Sequence, residues 1–360
     1  MKKMIISQEH LKAALKKLSQ AVPAKPVVPA TSSLLCRVNA NEVELITTDC
    51  ELTILYKCPC ESAEAFELLL PFDFIKKVVS LTGAMPISIE APDDSRATIT
   101  AGDDVYVLKS LEPVAQFPKI PSIPKKNSIK LGQETMKRVI SSMEACGKDD
   151  TRPSMTYSCL DIEDGKITIV GTDANILYRY VVDCDADIPK DQVLVSQKLA
   201  TALHGTGDIE LYWQKKHAAF KADGLTVIIT RQEHKYPDYR VVIPNHGPNL
   251  RINRNELITS LEKAVLANAG CCSMGLQGKS VKVKAADLDY EREVDSVVAA
   301  EYTGCTEGIS LNPKKLITLL TQVEYDNVSL HIDTPKRAVL ITSEEDANYL
   351  GMIMPLNDTN

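Results

Sequence analysis

The sequence predicts an α+β fold in which one domain of about 120 residues occurs three times in tandem. The first sign is a helix at 133–146, where apolar residues recur at i, i+3, i+4 and i+7. A similar stripe recurs 125 residues upstream and 122 residues downstream. The three stripes are Met136, Val139, Ile140 and Met143; Leu11, Leu15 and Leu18; and Ile258, Leu261 and Val265. This period is too long for a solenoid and suits a small domain.

A second helix also recurs, and it is the second observation behind the fold class. The segments LLLPFDFIKKVV from Leu68, VLVSQKLATAL from Val193 and ISLNPKKLITLL from Ile309 each pass from a β run into an apolar helical repeat. Ser196 is a favourable helix N-cap, and Pro313 suits a first helical position. Each third of the chain is therefore predicted to run β-α-βββ-β-α-βββ.

The elements are predicted in order from periodicity and from turn residues. The helices are placed at 8–20, 72–82, 133–146, 196–205, 253–268 and 312–323. Strands are predicted between turns such as Asn39-Ala40-Asn41 and Gly102-Asp103-Asp104. They cover 1–7, 34–38, 42–47, 52–57, 66–70, 86–90, 96–101 and 105–111; 158–162, 166–170, 176–182, 192–195, 208–213, 217–222 and 226–231; and 280–285, 294–302, 329–332, 338–342 and 348–354.

Two proline-rich segments separate the thirds. The segments are 111–126 and 236–249, and each has an aromatic-Pro pair followed by an Ile-Pro pair. Such segments are stiff and extended and cannot continue a helix. The predicted domains are therefore 1–123, 124–248 and 249–360.

Composition limits the class of protein. The 360 residues are 44% hydrophobic and 25% charged, which is ordinary for a soluble globular protein. The N-terminal MKKMIISQEH has no signal-peptide core, and no stretch is apolar for long enough to span a membrane. The ten cysteines include no CxxC pair, so we expect reduced thiols and a cytoplasmic location.

The net charge of −7 argues at first against a nucleic-acid partner, but the charge is unevenly distributed. The six helical segments hold 12 basic and 6 acidic residues, so the rest of the chain carries −13. Helices lining one surface would thus attract phosphate while the remainder repels it. The alternative is that lysines simply favour helices, although glutamate favours them equally.

The sequence shows no catalytic or cofactor motif. It has no phosphate-binding GxxxxGK[ST] loop, no GxGxxG, no HExxH and no GxSxG, and its histidines lack metal-ligand spacing. Thr48-Asp49 and Thr172-Asp173 occupy equivalent places in two repeats, which favours a structural turn over an acid pair. We expect no enzymatic activity, no metal and no cofactor.

Several stretches together resemble the bacterial DNA polymerase III beta subunit, the sliding-clamp family. GTDANILYRY (Gly171–Tyr180) and YPDYRVVIP (Tyr236–Pro244) are similar to two segments of that family, and the second is the more specific. QETMKRVI from Gln133 and YLGMIMPL from Tyr349 match in order, so the resemblance covers the whole chain.

The resemblance implies three clamp domains per chain and a head-to-tail homodimer that closes into a ring, with helices inside and sheets outside. Such a ring encircles double-stranded DNA without reading its sequence and tethers the replicative polymerase, the clamp loader and other partners, which confers processivity. The implied DNA contacts are Lys12, Lys16, Lys25, Lys76, Lys77, Lys137, Arg138, Lys198, Lys263, Lys314 and Lys315.

The resemblance also implies two protein-binding regions. The partner-peptide pocket would comprise Arg152, Met155, Thr172, Ile176, Leu177, Pro237, Val242, Met352, Met354 and Pro355. The dimer interface would comprise Tyr106 and Leu108 facing Val265 and Leu266. Ile176 and Val241 stand where the family often has arginine, which leaves the preferred peptide open. The alternatives are a peptide-binding scaffold of the same fold that does not close around DNA, and an α+β enzyme without a recognisable site.

Overall fold

The predicted pattern of elements occurs three times along the chain. The structure is a computed structural model, which describes residues 2–93, 95–149, 151–184, 188–267, 270–287, 291–304 and 308–356. In these residues the order β-α-βββ-β-α-βββ is complete in each third, with one additional two-residue strand in the first. We call these thirds the first, second and third repeats.

The helices begin and end close to their predicted bounds. They are α1 (Gln8–Leu18), α2 (Phe72–Leu81), α3 (Gln133–Met143), α4 (Gln197–Leu203), α5 (Arg254–Leu266) and α6 (Pro313–Leu320). Asn253 and Asn312 cap α5 and α6 by accepting backbone N–H bonds from Glu256 and Lys315. Pro313 occupies the start of α6, as predicted.

The strands follow the predicted order, with four that the sequence analysis did not list. The first repeat has β1 (Lys2–Ser7), β2 (Ser33–Val38), β3 (Glu42–Thr48), β4 (Leu52–Pro59), β5 (Glu61–Ser62), β6 (Phe66–Pro71), β7 (Pro86–Asp93), β8 (Arg96–Ala101) and β9 (Asp104–Leu108). The second has β10 (Asn127–Leu131), β11 (Ser158–Glu163), β12 (Lys166–Thr172), β13 (Ile176–Asp183), β14 (Asp191–Val195), β15 (Ile209–Trp213), β16 (His217–Ala222) and β17 (Leu225–Thr230). The third has β18 (Leu250–Asn253), β19 (Cys272–Gln277), β20 (Ser280–Asp287), β21 (Arg292–Tyr302), β22 (Ile309–Leu311), β23 (Asn327–His331), β24 (Val339–Thr342) and β25 (Tyr349–Ile353).

The omitted strands are β5, β10, β18 and β19. β10 and β18 are only five and four residues long and follow the proline-rich segments, which hid their alternation. β19 contains Gly275 and few β-branched residues, so its sequence carries little strand propensity.

Two of the three residues in the buried stripe of α5 lie one position before the predicted residues. The structure buries Leu257, Leu261 and Ala264, whereas Ile258 and Val265 are only half-buried. The spacing of 122 residues between the second and third repeats is kept, because Leu257, Leu261 and Ala264 then correspond to the buried Thr135, Val139 and Ser142 of α3. Small Ala264 completes the stripe, and the sequence analysis gave the position to the larger Val265.

The chain divides into two compact units. One comprises Met1–Met136 and Gln197–Gln232, and the other comprises Lys137–Ser196 and Glu233–Asn360. The division passes through α3 and so differs from the predicted domain boundaries, which stay a prediction. No helix in the described part of the chain is long and apolar enough to cross a membrane.

Each unit is organised by its own sheets. The first unit has a five-stranded sheet, β5-β1-β7-β8-β9, and an eight-stranded sheet, β10-β15-β16-β17-β4-β3-β2-β6. The second has a twelve-stranded sheet, β14-β11-β12-β13-β25-β24-β23-β18-β21-β20-β19-β22. Helix α1 packs against α2 and α4 in the first unit, and α5 packs against α6 in the second.

Candidate interaction sites

A strand of one repeat pairs with a strand of the next at one place in each unit. In the first unit, β4 pairs antiparallel with β17, from Leu52 opposite Ile229 to Tyr56 opposite Leu225. In the second unit, β13 pairs antiparallel with β25, from Ile176 opposite Ile353 to Tyr180 opposite Tyr349. We call these pairings the first and second joints.

The two joints have the same register. Positions in β4 and β13 differ by 124, and so do positions in β17 and β25. The flanking backbone bonds repeat as well. The N–H of Thr230 donates to the carbonyl of Glu51 (2.8 Å), as that of Met354 donates to Asn175 (2.8 Å). The fourth strand of one repeat, which is the last of the three that follow its first helix, thus pairs with the last strand of the next repeat in one fixed way.

An ion pair accompanies each joint. The Lys198 ammonium lies 2.7 Å from the Asp49 carboxylate at the first joint, and Lys315 lies 2.7 Å from Asp173 at the second. Both lysines directly precede the first buried leucine of their helix, Leu199 or Leu316. The turns at Thr48-Asp49 and Thr172-Asp173 therefore have the structural role that the sequence indicated. Contact of Lys198 and Lys315 with DNA stays a prediction, and each ammonium group would then leave or share its carboxylate partner.

Among the strands at joint-forming positions, two have an edge that no described strand covers. β9 ends the five-stranded sheet and pairs only with β8. β21 pairs with β20 along most of its length, but with β18 only at Ala300–Tyr302, which leaves one edge of its first part open. These are the last strand of the first repeat and the fourth strand of the third repeat. They are the two joint-forming positions that remain unused within one chain.

The predicted dimer residues lie on or near these open edges. Tyr106 and Leu108 are half-buried in β9, and the intervening Val107 is 58% exposed. Val265 is half-buried and Leu266 is 80% exposed at the end of α5. Exposed apolar residues beside an open strand edge are typical of a surface that pairs with another chain.

Most of the predicted DNA-contacting lysines are exposed on helices or loops. None of the following seven forms an ion pair with any residue that the structure describes: Lys12, Lys16, Lys25, Lys76, Lys77, Lys263 and Lys314. Lys137 is exposed but forms an ion pair with Glu324. The hydrogen bond from Lys137 lowers the pKa of Glu324, which keeps that carboxylate charged.

Arg138 corrects the expectation most clearly. Only 5% of this residue is exposed. Its guanidinium carbon lies 4.4 Å from the ring centre of Tyr180, and a guanidinium nitrogen lies 3.3 Å from the Glu324 carboxylate. Helical periodicity placed Arg138 off the apolar stripe, but the ring of Tyr180 covers it. We therefore leave Arg138 out of the proposed DNA-contacting set.

All ten predicted pocket residues belong to the second unit and lie around the second joint. Leu177 and Met352 are opposite each other in β13 and β25 and belong to one buried core with Tyr236 and Tyr239. Ile176 and Thr172 are also buried, and the Thr172 hydroxyl donates to the carbonyl of Ile176 (2.6 Å). Four of the predicted pocket residues therefore form its buried floor: Thr172, Ile176, Leu177 and Met352.

The remaining pocket residues form its more exposed part. Val242 is 52% exposed and Met354 is 39% exposed, whereas Met155, Pro237 and Pro355 are half-buried and Arg152 is exposed. Met354 directly follows β25, and its backbone N–H bond to the carbonyl of Asn175 continues the pairing with β13. Tyr239 and Ile243, on either side of Val242 in the chain, pack against the core that contains Met352. Val242 and Met354 are thus the exposed apolar residues of the region predicted as the pocket.

The sequence analysis missed the group that holds this region in place. The buried carboxylate of Asp161 accepts hydrogen bonds from the Tyr239 hydroxyl (2.8 Å) and the Arg240 guanidinium (2.7 Å). Arg240 also contacts Glu163 (2.9 Å). Burial and the bond to Asp161 raise the pKa of Tyr239, so the hydroxyl stays a donor. The signal available in the sequence was an aspartate inside a predicted strand whose neighbouring residues are apolar.

The cysteines are free thiols wherever the structure describes them. Burial raises the pKa of Cys58, Cys146 and Cys272 to about 12, so these thiols stay protonated near neutral pH. Within the described residues no three His, Cys, Asp or Glu side chains converge as a metal site would require.

Two family models match the chain, in the same order as in the family itself. Residues 2–121 match the N-terminal domain of the DNA polymerase III beta subunit, and residues 240–357 match its C-terminal domain. The chain belongs to the DNA polymerase III beta-subunit family. The resemblance seen in the sequence is thereby confirmed.

Full-length relatives and solved structures agree with this membership. The beta sliding clamp of Proteus mirabilis is 24% identical, covering 98% of this chain and 99% of its own. The structure of the Bacillus subtilis DNA polymerase sliding clamp matches with a TM-score of 0.90 at 19% identity, covering 99% of each chain. That of the Pseudomonas aeruginosa DNA polymerase III subunit beta matches with a TM-score of 0.90 at 21% identity, covering 99% and 100%. The predicted fold class, three clamp-type repeats, is confirmed.

Proposed function

We propose that this protein is a non-catalytic DNA sliding clamp: two chains form a ring around double-stranded DNA and tether the replicative polymerase. The observation that carries the proposal is the pair of unused strand edges. Both joints within the chain pair the fourth strand of one repeat with the last strand of the next. β21 and β9 complete the same series only if they pair between two copies, and two such pairings close a ring.

The joints supply a register for the pairing between chains. The turn with Gln277 opposite Ser280 corresponds to the turn in which the N–H of Asn39 donates to the carbonyl of Glu42, so Ala285 takes the place of Thr47. Val294, opposite Ala285, then takes the place of Ile54, opposite Thr47. In the same way, Ala101 opposite Asp104 corresponds to Ala222 opposite Leu225 beside two-residue turns. Transferring the first joint to the seam puts Tyr106 opposite Val294 and Asp104 opposite Ser296.

A disulfide tests this register and ring closure together. The pair Asp104–Ser296 corresponds to Leu225–Tyr56, and the flanking bonds make it a non-hydrogen-bonded pair with Cα atoms about 4.5 Å apart, which suits a disulfide. The double variant Asp104→Cys, Ser296→Cys is oxidised and run on a denaturing gel. We expect one covalent dimer species, with neither single variant cross-linking. A ladder of higher multimers would indicate an open filament, and no cross-link would refute the pairing.

The DNA contacts are proposed to come from the exposed lysines of the helices and the 22–28 loop. Lys12, Lys16, Lys25, Lys76, Lys77, Lys263 and Lys314 carry this role most directly, and Lys137 contributes from the same kind of helix. These charges meet phosphates without reading bases, so the ring slides. The protein stays on DNA because the ring is closed around the duplex, so the chain needs no positive net charge.

Encirclement has its own experiment. Protein loaded onto nicked circular DNA is compared with protein on the same DNA after linearisation, at a salt concentration that screens weak contacts. We expect retention on the circle and rapid loss from the linear form. Equal retention would refute encirclement and favour the peptide-binding scaffold that does not close.

The partner site is proposed at the exposed apolar residues of the second joint, chiefly Val242 and Met354, with Pro237, Met155 and Arg152 around them. Adaptable Met and exposed Val side chains suit an apolar peptide segment of a polymerase, a clamp loader or another clamp-binding protein. We also propose a cytoplasmic location, in keeping with the free thiols.

A further inference from the structure

The position occupied by Lys198 and Lys315 at the two joints has a third copy in the chain. The buried residues of α2 are spaced as in α4 and α6, so Ile75, Val78 and Val79 correspond to Leu199, Ala202 and Leu203 and to Leu316, Leu319 and Leu320. The residue before the first of each set is Lys198, Lys315 and Phe74. The first repeat therefore has an aromatic residue where the others have the paired lysine.

Phe74 lies beside the strand edge that remains open. Its ring meets that of Tyr106 edge-on, with ring centres 6.1 Å apart and planes at 82°. Phe74 is 36% exposed, and Val105 and Val107 of the same strand are 60% and 58% exposed. An exposed aromatic pair beside apolar strand residues is the composition of an interface anchor.

We propose that Phe74 is an apolar anchor of the seam between two copies of this chain, in place of the ion pair that each joint within the chain uses. The occupant is a second copy of the chain. Phe74 contacts Tyr106 of β9, and β9 is the one last strand of a repeat whose outer edge pairs with no described strand. This inference rests on the proposed ring. It adds that the seam and the internal joints are held by different forces.

The consequence is a different response to salt. Ion pairs such as Lys198–Asp49 weaken as ionic strength rises, whereas burial of an aromatic ring does not. The loss of dimer affinity caused by removing Phe74 is therefore expected to stay the same within about threefold between 0.05 and 0.5 M NaCl, since burial of an aromatic ring carries no charge to screen.

The test is the dimer dissociation constant, measured by analytical ultracentrifugation on the full chain. Phe74→Ala is expected to raise it by about 30-fold, as truncation of an aromatic anchor does. Phe74→Leu keeps an apolar side chain and is expected to retain most of the affinity. Tyr325→Ala removes an aromatic residue of similar exposure, 40%, in the turn after α6 and serves as the matched control.

Phe74→Lys introduces the lysine that the other two repeats have at this position. It tests whether an ion pair or an apolar contact suits the seam. A tighter dimer that weakens with salt would overturn the proposal, because the seam would then accept the same ion pair as the joints. Wild-type affinity in Phe74→Ala would also overturn it. Thermal unfolding of dilute monomer checks that each variant is folded. If the Asp104–Ser296 cross-link forms while Phe74 proves neutral, the ring stands and only this inference fails.

Discussion

The two joints share one backbone register, yet the proline-rich segments beside them are held very differently. Beside the first joint, Val114, Phe117 and Ile120 of the segment 111–126 are half-buried against a core of Leu35, Ile46 and Leu69. Beside the second, Tyr236 and Tyr239 of the segment 236–249 are buried in the equivalent core. The same backbone arrangement thus supports one segment by partial apolar contact and another by full burial.

A single equivalent position explains much of this difference. Arg37 and Asp161 are 124 residues apart in β2 and β11. Arg37 is directed to Glu67 (2.6 Å) and Glu44 (3.5 Å) on neighbouring strands of its own repeat. Asp161 is buried and binds Tyr239 and Arg240 of the following segment. Strand pairing can therefore be repeated while side chains decide which joint presents an ordered binding surface.

The helix beside each joint also approaches the sheet differently. At the first joint, the Thr47 hydroxyl donates to the carbonyl of Leu18 (2.8 Å). The equivalent residue at the second joint is Gly171, and a Cβ there would lie 2.0 Å from the carbonyl oxygen of Ser142. The α3 backbone thus lies too close to β12 for any side chain.

The largest expected effect comes from filling that close approach. Gly171→Ala forces α3 away from β12 and is expected to destabilise the second unit by about 3 kcal/mol, the upper range for overpacking. Urea unfolding followed by circular dichroism measures the change. The matched variant Thr47→Ala removes one hydrogen bond and is expected to cost about 1 kcal/mol. Equal costs would contradict the difference in helix approach.

The next effect comes from removing the buried carboxylate. Asp161→Ala leaves the buried Tyr239 hydroxyl without its acceptor and leaves Arg240 with Glu163 alone, and it is expected to cost about 2–3 kcal/mol, because a buried donor loses its partner. It should also weaken binding of partner peptides at Val242. Arg37→Ala at the equivalent exposed position is expected to cost about 0.5 kcal/mol. Hydrogen exchange of residues 236–243 distinguishes loss of local order from global unfolding.

A smaller effect should be equal at the two joints. Lys198→Met and Lys315→Met each remove one partly exposed ion pair and are expected to cost about 0.5 kcal/mol at low salt. The loss should shrink in 0.5 M NaCl because screening weakens the wild-type pair. Lys12→Met, which removes a lysine without a described ion-pair partner, is the control. A cost at only one joint would show that the repeated ion pair is not equally used.

The smallest expected effect is a pH dependence of the free energy of unfolding, and it arises where His331 contacts the segment 236–249. His331 binds the carbonyl of His246 (2.8 Å) and the Thr342 hydroxyl (2.8 Å), and burial lowers its pKa below 6.5. The unfolded chain then takes up the proton first, so stability should fall as the pH drops below about 6.5 and level off below the folded-state pKa. His331→Gln should flatten this part of the unfolding profile. An unchanged slope would exclude His331 as its source.

Sequence reasoning reached the repeat and most element bounds because these depend on local periodicity. Helices such as α2 and α6 show their apolar stripe within a dozen residues, and hairpins such as β8–β9 show their turn residues. It missed β10 and β18, whose pairing partners lie about 80 residues away and which are too short to show alternation.

The sequence predicted the candidate sites less completely than it predicted the repeat and the element bounds. The resemblance identified ten pocket residues around one joint, but it could not separate the buried floor, such as Leu177, from the exposed Val242. It also treated the buried Arg138 as an exposed charge, and it gave no sign that Lys198 and Lys315 have carboxylate partners. Their partners, Asp49, Asp173 and Glu324, are more than 140 residues away along the chain, and no local pattern carries that information.

The amino-acid sequence by itself determined the three-fold repeat, the α+β class and the excess of basic residues on the helices. These follow from spacing and composition, which act over a few residues at a time. Only the tertiary structure decided which lysines are paired, why Arg138 is buried, and which two strand edges remain open. Those outcomes depend on contacts between distant segments, and such contacts exist only once the backbone has folded.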